Sequence, residues 1–200
     1  VDPHLEIAEI QRRLFRAGGP AVLFARPKGS GFPVLVNLYG TKQRIERIFA
    51  DTFDRVRRLV ELKIDPAAAL RKPGRYWRSP YDALSMLPRS VGSGNVMAHS
   101  TRLSALPQVV SWPGDGGPFI TLPAVYSEDP AHPSPKHSNL GMYRVQLAGN
   151  DYDADRETGL HYQLHRGIGL HHAAALARGE PLKVAIFLGG SPAMAVSAVM

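Results

Sequence analysis

The sequence predicts an α+β protein with two parts, a small N-terminal α/β layer and a β-rich C-terminal half. Apolar residues recur at helical spacing through most of the first 65 residues, and short β-prone runs interrupt that pattern between residues 21 and 38. From Gly92 onward, prolines, glycines and β-forming residues alternate, which is typical of strands with hairpin connections. We therefore predict domains at 1–92 and 93–200.

The first half begins with a predicted helix. Asp2 is a candidate cap, Ile7, Ile10 and Leu14 recur at helical spacing, and Gly18 begins the segment that ends the pattern. The predicted elements that follow are strands at 21–24 and 33–38, a helix from the cap Thr41 to about Ala50, an amphipathic segment at 56–63, a Pro/Gly/Arg-rich linker at 65–77, and a helix capped by Ser79 that ends near Leu87–Pro88.

The second half is predicted to be organised around Ser138–Leu147 and its partner Gly159–Gly167, two strands joined by a long acidic hairpin. This pairing would bring Asn139, Arg144 and His165 within reach of one another. The other predicted elements are strands at 109–112 and 119–126, a helix at 170–178, a buried strand at 182–188, and a turn at 189–192 in which Ser191 caps a last helix.

Composition excludes several classes of site. A chain of 200 residues with 44% hydrophobic residues can bury a sizeable core. The absence of cysteine excludes disulfides, thiolate metal sites and cysteine nucleophiles. The longest aliphatic runs are far shorter than the roughly 20 residues that a membrane span needs, and the first residues do not form a signal peptide. We expect a cytoplasmic protein.

The net charge is +7, and the basic excess lies in the first 89 residues. A basic half allows nucleic-acid binding, with the arginines between Arg44 and Arg58 as the candidate surface. We favour the interpretation that these arginines are solvated helix faces, because no aromatic interleaving or nucleic-acid motif accompanies them. We therefore expect no nucleic-acid partner.

Three candidate sites are weak on spacing alone. His161 and His165 alternate with apolar residues as in a strand, where four residues span about 13 Å, so at most one of them can bind a given ion. The acidic residues at 151–157 lack the glycine and glutamate of a calcium loop, which favours a solvated hairpin tip. The turn at 189–192 would suit a phosphate, but an ordinary strand-to-helix turn is favoured.

Six segments, taken in chain order, carry a resemblance to a known family: VDPHLEIAEI with RAGGPAVLFARPKG, PVLVNLYGT, LSALPQVVSWPGDGGPFIT, SNLGMYRVQL, LHRGIGLHH and PLKVAIFLGGSPA. In these segments and in their order, the chain resembles the N-terminal part of the UbiD-type decarboxylases, a family that uses prenylated FMN. The variant HYQLHRG is similar to the branch that includes menaquinone-pathway decarboxylases. The resemblance implies that the β-rich half is part of a split-barrel flavin-binding domain, in a protein of ubiquinone or menaquinone biosynthesis.

The resemblance also implies a cofactor site. Asn139 would bind a divalent ion that bridges protein and flavin phosphate, and His165 would be a second ligand. This donor set suits Mn²⁺ or Mg²⁺, and K⁺ is a further candidate ion. Arg144 would be the catalytic residue that holds the substrate carboxylate. Arg144 would also line the flavin, and the other residues expected to do so are Met142, Tyr143, His161, Tyr162, Gln163, Arg166, Gly167, Ser197, Ala198 and Met200.

The reaction implied is the non-oxidative, reversible decarboxylation of an aromatic or α,β-unsaturated carboxylic acid to release CO₂. A flavin prenyltransferase would supply the cofactor. The chain lacks the family's later segments, which carry a glutamate metal ligand, the catalytic acids and an oligomerisation domain. We therefore expect an excerpt of a longer homo-oligomeric enzyme that is inactive alone. The alternative is a non-catalytic flavin-binding or oligomerisation module.

One geometric condition follows from this assignment. Asn139 and Arg144 have opposite parity, so a regular strand would point their side chains to opposite faces. Both can serve one site only if the strand is interrupted between them, and we predict such an irregularity.

Overall fold

The computed structural model describes residues 1–85, 87 and 91–199 and has an α+β fold. Helices and short strands are mixed along the chain. In chain order the elements are α1 (Glu6–Arg16), β1 (Val22–Phe24), β2 (Val34–Val36), α2 (Lys42–Ile48), α3 (Ala50–Ile64), α4 (Ala68–Arg71), α5 (Pro73–Tyr76), α6 (Ser79–Ser85), β3 (Phe119–Ile120), β4 (Ala124–Glu128), β5 (Ser138–Met142), β6 (Val145–Gln146), β7 (Gly159–Leu160), α7 (Gly167–Ala177), β8 (Val184–Phe187) and α8 (Pro192–Ser197).

The chain divides into two compact units, one formed by Val1–Asn37 with Ser100–Met200 and the other by Leu38–His99. This grouping differs from the predicted division between residues 92 and 93. The N-terminal segment joins the first unit through backbone pairing, because the N–H of Leu5 donates to the carbonyl of Val110 at 2.9 Å. The hydroxyl of Ser30 also donates to the carbonyl of Ala105 at 2.7 Å. The domain boundary itself stays a prediction.

Helix α1 is confirmed, but Asp2 is not its cap. The cap position is Leu5, in the left-handed region at φ 65°, and no side chain caps the helix. Asp2 instead accepts a hydrogen bond from the N–H of His4 at 2.9 Å, a local turn that competes with capping. After α1, the predicted strands β1 and β2 form an antiparallel pair.

The β-rich region contains two three-stranded sheets, with strand orders β3-β6-β7 and β5-β4-β8. The first of these sheets contains the predicted hairpin of β6 and β7, although each of the two strands is short. Helix α7 packs against β4 and β5, and α8 packs against β5. The fully buried side chains of Ile7, Val125, Val145 and Ile168 form the centre of this unit.

Several predicted strands differ from the structure. The run 119–126 is divided into β3 and β4 with a buried Pro123 between them, because proline cannot donate to a strand ladder. The run 109–112 contributes a single bridge at Val110. Strand β8 is present but is not buried: Val184 is 40% exposed, since β8 lies at the edge of its sheet and pairs with β4 alone among the described strands.

In its described residues, the second unit contains helices α2 to α6. Thr41 caps α2 as predicted, accepting from the N–H of Arg44 at 3.3 Å. The predicted linker at 65–77 instead contains the short helices α4 and α5. Ser79 is the first residue of α6 and not its cap. The predicted end of this helix at Pro88 lies outside the described residues.

The basic residues of this unit are partly engaged in ion pairs. Arg58 donates to Asp82 at 3.1 Å, and the Asp82 side chain is only 3% exposed. Arg55 lies 3.9 Å from the same carboxylate. Arg57 pairs with Glu61 at 3.1 Å, and Tyr76 donates to Glu61 at 2.9 Å. These contacts favour a structural role for the arginines.

Within residues 1–85, 87 and 91–199, no helix is long and apolar enough to cross a membrane.

We expect Asp82→Ala to lower the free energy of unfolding of the second unit by about 3 kcal/mol, because it leaves the Arg58 charge without its buried partner. Hydrogen–deuterium exchange of the α3 and α6 amides measures this loss locally. The control is Asp54→Ala on the exposed side of α3, which should change the value by about 0.5 kcal/mol or less. Equal exchange in the two variants would contradict the prediction.

Candidate functional site

The candidate site is built around an interruption between two strands. Strand β5 ends at Met142 and β6 begins at Val145, and these strands belong to different sheets. Tyr143 and Arg144 carry the chain from one sheet to the other. The predicted irregularity between Asn139 and Arg144 is therefore confirmed.

Asn139 lies against the start of α7. Its amide nitrogen donates to the hydroxyl of Tyr143 at 3.4 Å. A Cβ atom added at Gly167 would lie well inside van der Waals contact of the amide oxygen of Asn139. Only glycine therefore fits at the first position of α7 while the Asn139 amide keeps this orientation.

A second contact holds α7 one turn further along. Ser127 is the direct cross-strand neighbour of Asn139, it is 1% exposed, and its hydroxyl lies 3.0 Å from Nδ1 of His171. Gly167 and His171 are four residues apart and so lie on one face of the helix. The start of α7, where unpaired N–H groups favour an anion, is thus fixed beside the amide of Asn139.

Aromatic residues continue this group. The rings of Tyr143 and Tyr162 are 6.4 Å apart in an edge-to-face arrangement. The Tyr162 hydroxyl is hydrogen-bonded to Nδ1 of His172, and their ring centroids are 5.9 Å apart. Asn139, Tyr143, Tyr162, Gly167 and His172 form what we call the amide–tyrosine group.

Arg144 belongs to a different set of contacts. Its Nη2 donates to Oδ2 of Asp115 at 2.6 Å, and its Cζ lies 3.9 Å from the centroid of the Phe119 ring. His161 packs edge-on against Phe119 at 5.2 Å. Its Nε2 also lies 3.2 Å from the amide oxygen of Gln146. These five residues form what we call the arginine group.

The two groups are neighbours along the chain, because Tyr143 precedes Arg144 and Tyr162 follows His161. The N–H of His161 donates to the carbonyl of Arg144 at 3.0 Å, which extends the pairing of β6 and β7 by one residue. Within the part of the chain that the structure describes, no side-chain hydrogen bond joins Arg144 to Asn139 or to His165. The adjacent residues Tyr143 and Arg144 therefore serve one group each.

Family comparisons identify the chain. Residues 89–200 match the family described as the 3-octaprenyl-4-hydroxybenzoate carboxy-lyase Rift-related domain, and residues 1–63 match the N-terminal domain of the same carboxy-lyase. The chain belongs to the UbiD family.

Relatives and solved structures agree with this assignment. A 4-hydroxybenzoate decarboxylase component from Chlamydia pneumoniae is 38% identical over the whole of this chain and 33% of its own length. The vanillic acid decarboxylase of Sedimentibacter hydroxybenzoicus in closed form matches the whole chain and 40% of its own, with TM-score 0.77 and 22% identity. An evolved dimeric form of the UbiD-class enzyme HmfF from Pelotomaculum thermopropionicum, in complex with prFMN, matches 96% of the chain and 40% of its own, with TM-score 0.68 and 24% identity.

The UbiD-family chain described here spans about a third of the length of the curated relatives that it matches.

The structure brings only some of the predicted site residues together. His161 and His165 do not lie on one strand: β7 ends at Leu160, and residues 164–166 turn into α7. His165 is exposed in that turn. Among the remaining predicted residues, Met142 is half-buried at the end of β5, and Gln163 and Arg166 are hydrogen-bonded to each other. The hydroxyl of Ser197 donates to the carbonyl of Ala193, and Ala198 is buried. Met200 lies outside the described residues.

The donor set fits a divalent metal only in part. Asn139 presents an amide oxygen beside the start of α7, and His165, an exposed imidazole, lies two residues before the first residue of this helix. An amide oxygen and an imidazole suit Mn²⁺ or Mg²⁺. Among the described residues, however, no three His, Cys, Asp or Glu side chains converge on a metal position. A metal here would need ligands beyond these two.

Sequence reasoning missed Asp115, Phe119, Ser127 and the roles of the two histidines on α7. Asp115 lies 29 positions before Arg144. The available signal was the pair of glycines that follows it, since Gly116 and Gly117 both adopt positive φ and fix the loop beside β6.

We expect Gly167→Ala to displace the Asn139 amide or the first turn of α7, because the added Cβ overlaps the amide oxygen. Overpacking of this kind lowers the free energy of unfolding by about 1–3 kcal/mol. A matched control is Gly31→Ala, where a Cβ has open space. Urea unfolding of the two variants tests the prediction, and equal stabilities would refute it.

Proposed function

We propose that this chain forms part of a prenylated-FMN-dependent decarboxylase that acts reversibly and without net oxidation on an aromatic or α,β-unsaturated carboxylic acid. The observation that carries the proposal is the partly exposed side chain of Arg144, whose guanidinium is held by Asp115 and Phe119 next to the amide–tyrosine group. Membership of the UbiD family and the decarboxylase relatives support it.

Arg144 has the chemistry needed to place a substrate carboxylate. A guanidinium is always charged and presents its N–H groups in a fixed plane, so it can donate to both oxygens of a carboxylate. The Phe119 ring, whose centroid lies 3.9 Å from Cζ of Arg144, would restrict the orientation of those donors. Arg144 would hold the carboxylate while the bond to the departing CO₂ breaks.

The amide–tyrosine group is the proposed cofactor side. When bound, prenylated FMN would supply the electron sink that decarboxylation needs. The first turn of α7 offers N–H groups to a phosphate, and Asn139 with His165 would hold Mn²⁺ or Mg²⁺. Tyr143 and Tyr162 would exclude water from this face. K⁺ is a further candidate ion.

The complete site would require more than these 200 residues. We propose that further metal ligands and the catalytic acids come from a longer protein of the family, which would be a homo-oligomer and receive its cofactor from a flavin prenyltransferase. The 200-residue chain alone would not decarboxylate an acid.

Arg144→Lys tests the assigned role in the protein as its gene encodes it, produced together with a flavin prenyltransferase. We expect kcat/KM to fall about 10- to 100-fold, because lysine keeps the charge but loses charge-assisted bonds worth about 1.5–3 kcal/mol. Substrates for the assay are 4-hydroxybenzoate and vanillate, after the relatives. Arg178→Lys, an exposed change at the end of α7, is the matched control and should retain full activity.

A second candidate function is a flavin-binding module without catalysis, favoured by the incomplete set of metal ligands among the described residues. The absorbance of the purified protein at flavin wavelengths, with and without Mn²⁺, distinguishes the candidates when combined with the decarboxylation assay. For the enzyme, we expect Mn²⁺-dependent flavin retention that Asn139→Ala weakens. Flavin retention without turnover would favour the module, and loss of both would contradict the proposed function.

A further inference from the structure

Asp115 fixes one edge of Arg144. Its carboxylate accepts from Nη2 of Arg144 at 2.6 Å, and its side chain is only 8% exposed. The Arg144 side chain is 38% exposed. The Asp115 carboxylate is therefore held inside the fold, whereas part of the Arg144 side chain stays exposed to solvent.

The loop that carries Asp115 is itself tightly held. The carbonyl of Gly116 accepts from the side-chain amide of Gln146 at 3.1 Å. Gly117, at φ 142°, lies directly against the backbone of Ala148, where a Cβ would overlap the carbonyl. At Gly117 the backbone of the loop therefore packs directly on the backbone of Ala148, just after the end of β6. These contacts restrict the backbone that carries Asp115.

The aromatic face of Phe119 supplies a second constraint. The guanidinium of Arg144 lies close enough to this ring for its Cζ to be 3.9 Å from the centroid, which is well inside the range of a cation–π contact. Within the described part of the chain, Asp115 is the only hydrogen-bond partner of the Arg144 side chain. One edge and one face are fixed, and the remaining N–H groups are available.

We propose that Asp115 is a positioning residue that holds Arg144 in the orientation in which its remaining N–H groups bind a substrate carboxylate. This inference rests on the proposed function. Asp115 acts through Arg144 and does not itself touch the substrate, because two carboxylates at one position repel each other. A neutral residue at position 115 keeps the loop but removes the ion pair that orients the permanently charged guanidinium.

A double-mutant cycle on kcat/KM tests the proposal in the full-length holoenzyme. We expect Asp115→Ala to lower kcat/KM about 10- to 100-fold when Arg144 is present. In an Arg144→Gln background the same change should have less than about a threefold effect, because there is no guanidinium left to orient. Asp115→Asn, which keeps one acceptor oxygen, should recover part of the loss. Equal losses in both backgrounds would overturn the proposal.

A crystal structure of the Asp115→Ala variant gives a readout that does not depend on turnover. We expect the Arg144 guanidinium to leave the Phe119 ring or to occupy several positions; an unchanged guanidinium would overturn the proposal. If the wild-type protein decarboxylates nothing but Arg144 moves in the variant, the proposed function fails and the positioning role stands. Asp151→Ala, a change on the exposed hairpin, is the matched control and should leave both kcat/KM and the Arg144 position unchanged.

Discussion

The peptide bond between Tyr143 and Arg144 joins two sheets, and the candidate site depends on this connection. Because β5 ends before Tyr143 and β6 begins after Arg144, the two side chains need not follow the alternation of a single strand. Tyr143 reaches the amide of Asn139, and Arg144 reaches Asp115. A continuous strand through this segment would point the side chains of Tyr143 and Arg144 to opposite faces of one sheet.

Helix α7 completes the arrangement because its position is fixed by polar contacts on one face. Ser127 and Asn139 are cross-strand neighbours, and they meet His171 and Gly167, which are one turn apart. A buried hydroxyl without a partner would be costly, so the Ser127–His171 contact favours one placement of the helix. The absence of a side chain at Gly167 then allows the amide to approach the first turn directly.

Local signals predicted several of the elements but did not predict the contacts between them. The caps Thr41 and Ser191 and the hairpin of β6 and β7 are predicted by such signals and are present. The interruption between Asn139 and Arg144 is also present, but its prediction rests on the site assignment that the family resemblance implies. The alternation through His165 favoured a strand, yet α7 begins within that pattern. Gly169 lies against the carbonyl of Leu164, a tight approach that sequence spacing does not reveal. Asp115 was missed because only the folded loop brings it to Arg144.

The charge balance around Arg144 explains why a buried acid and an open arginine can coexist at one site. A lone guanidinium in a half-buried position loses hydration, and a lone carboxylate that is 8% exposed loses more. In the ion pair, the attraction between the two charges offsets this loss of hydration. The face of the Phe119 ring covers the guanidinium without competing for its N–H groups. Asp115 accepts a hydrogen bond from only one nitrogen of the guanidinium, Nη2. The other N–H groups of Arg144 can therefore still donate to a second carboxylate. Arginine suits this double duty because its five N–H groups can serve two acceptors at once, whereas a lysine held by Asp115 would have no second fixed edge to offer.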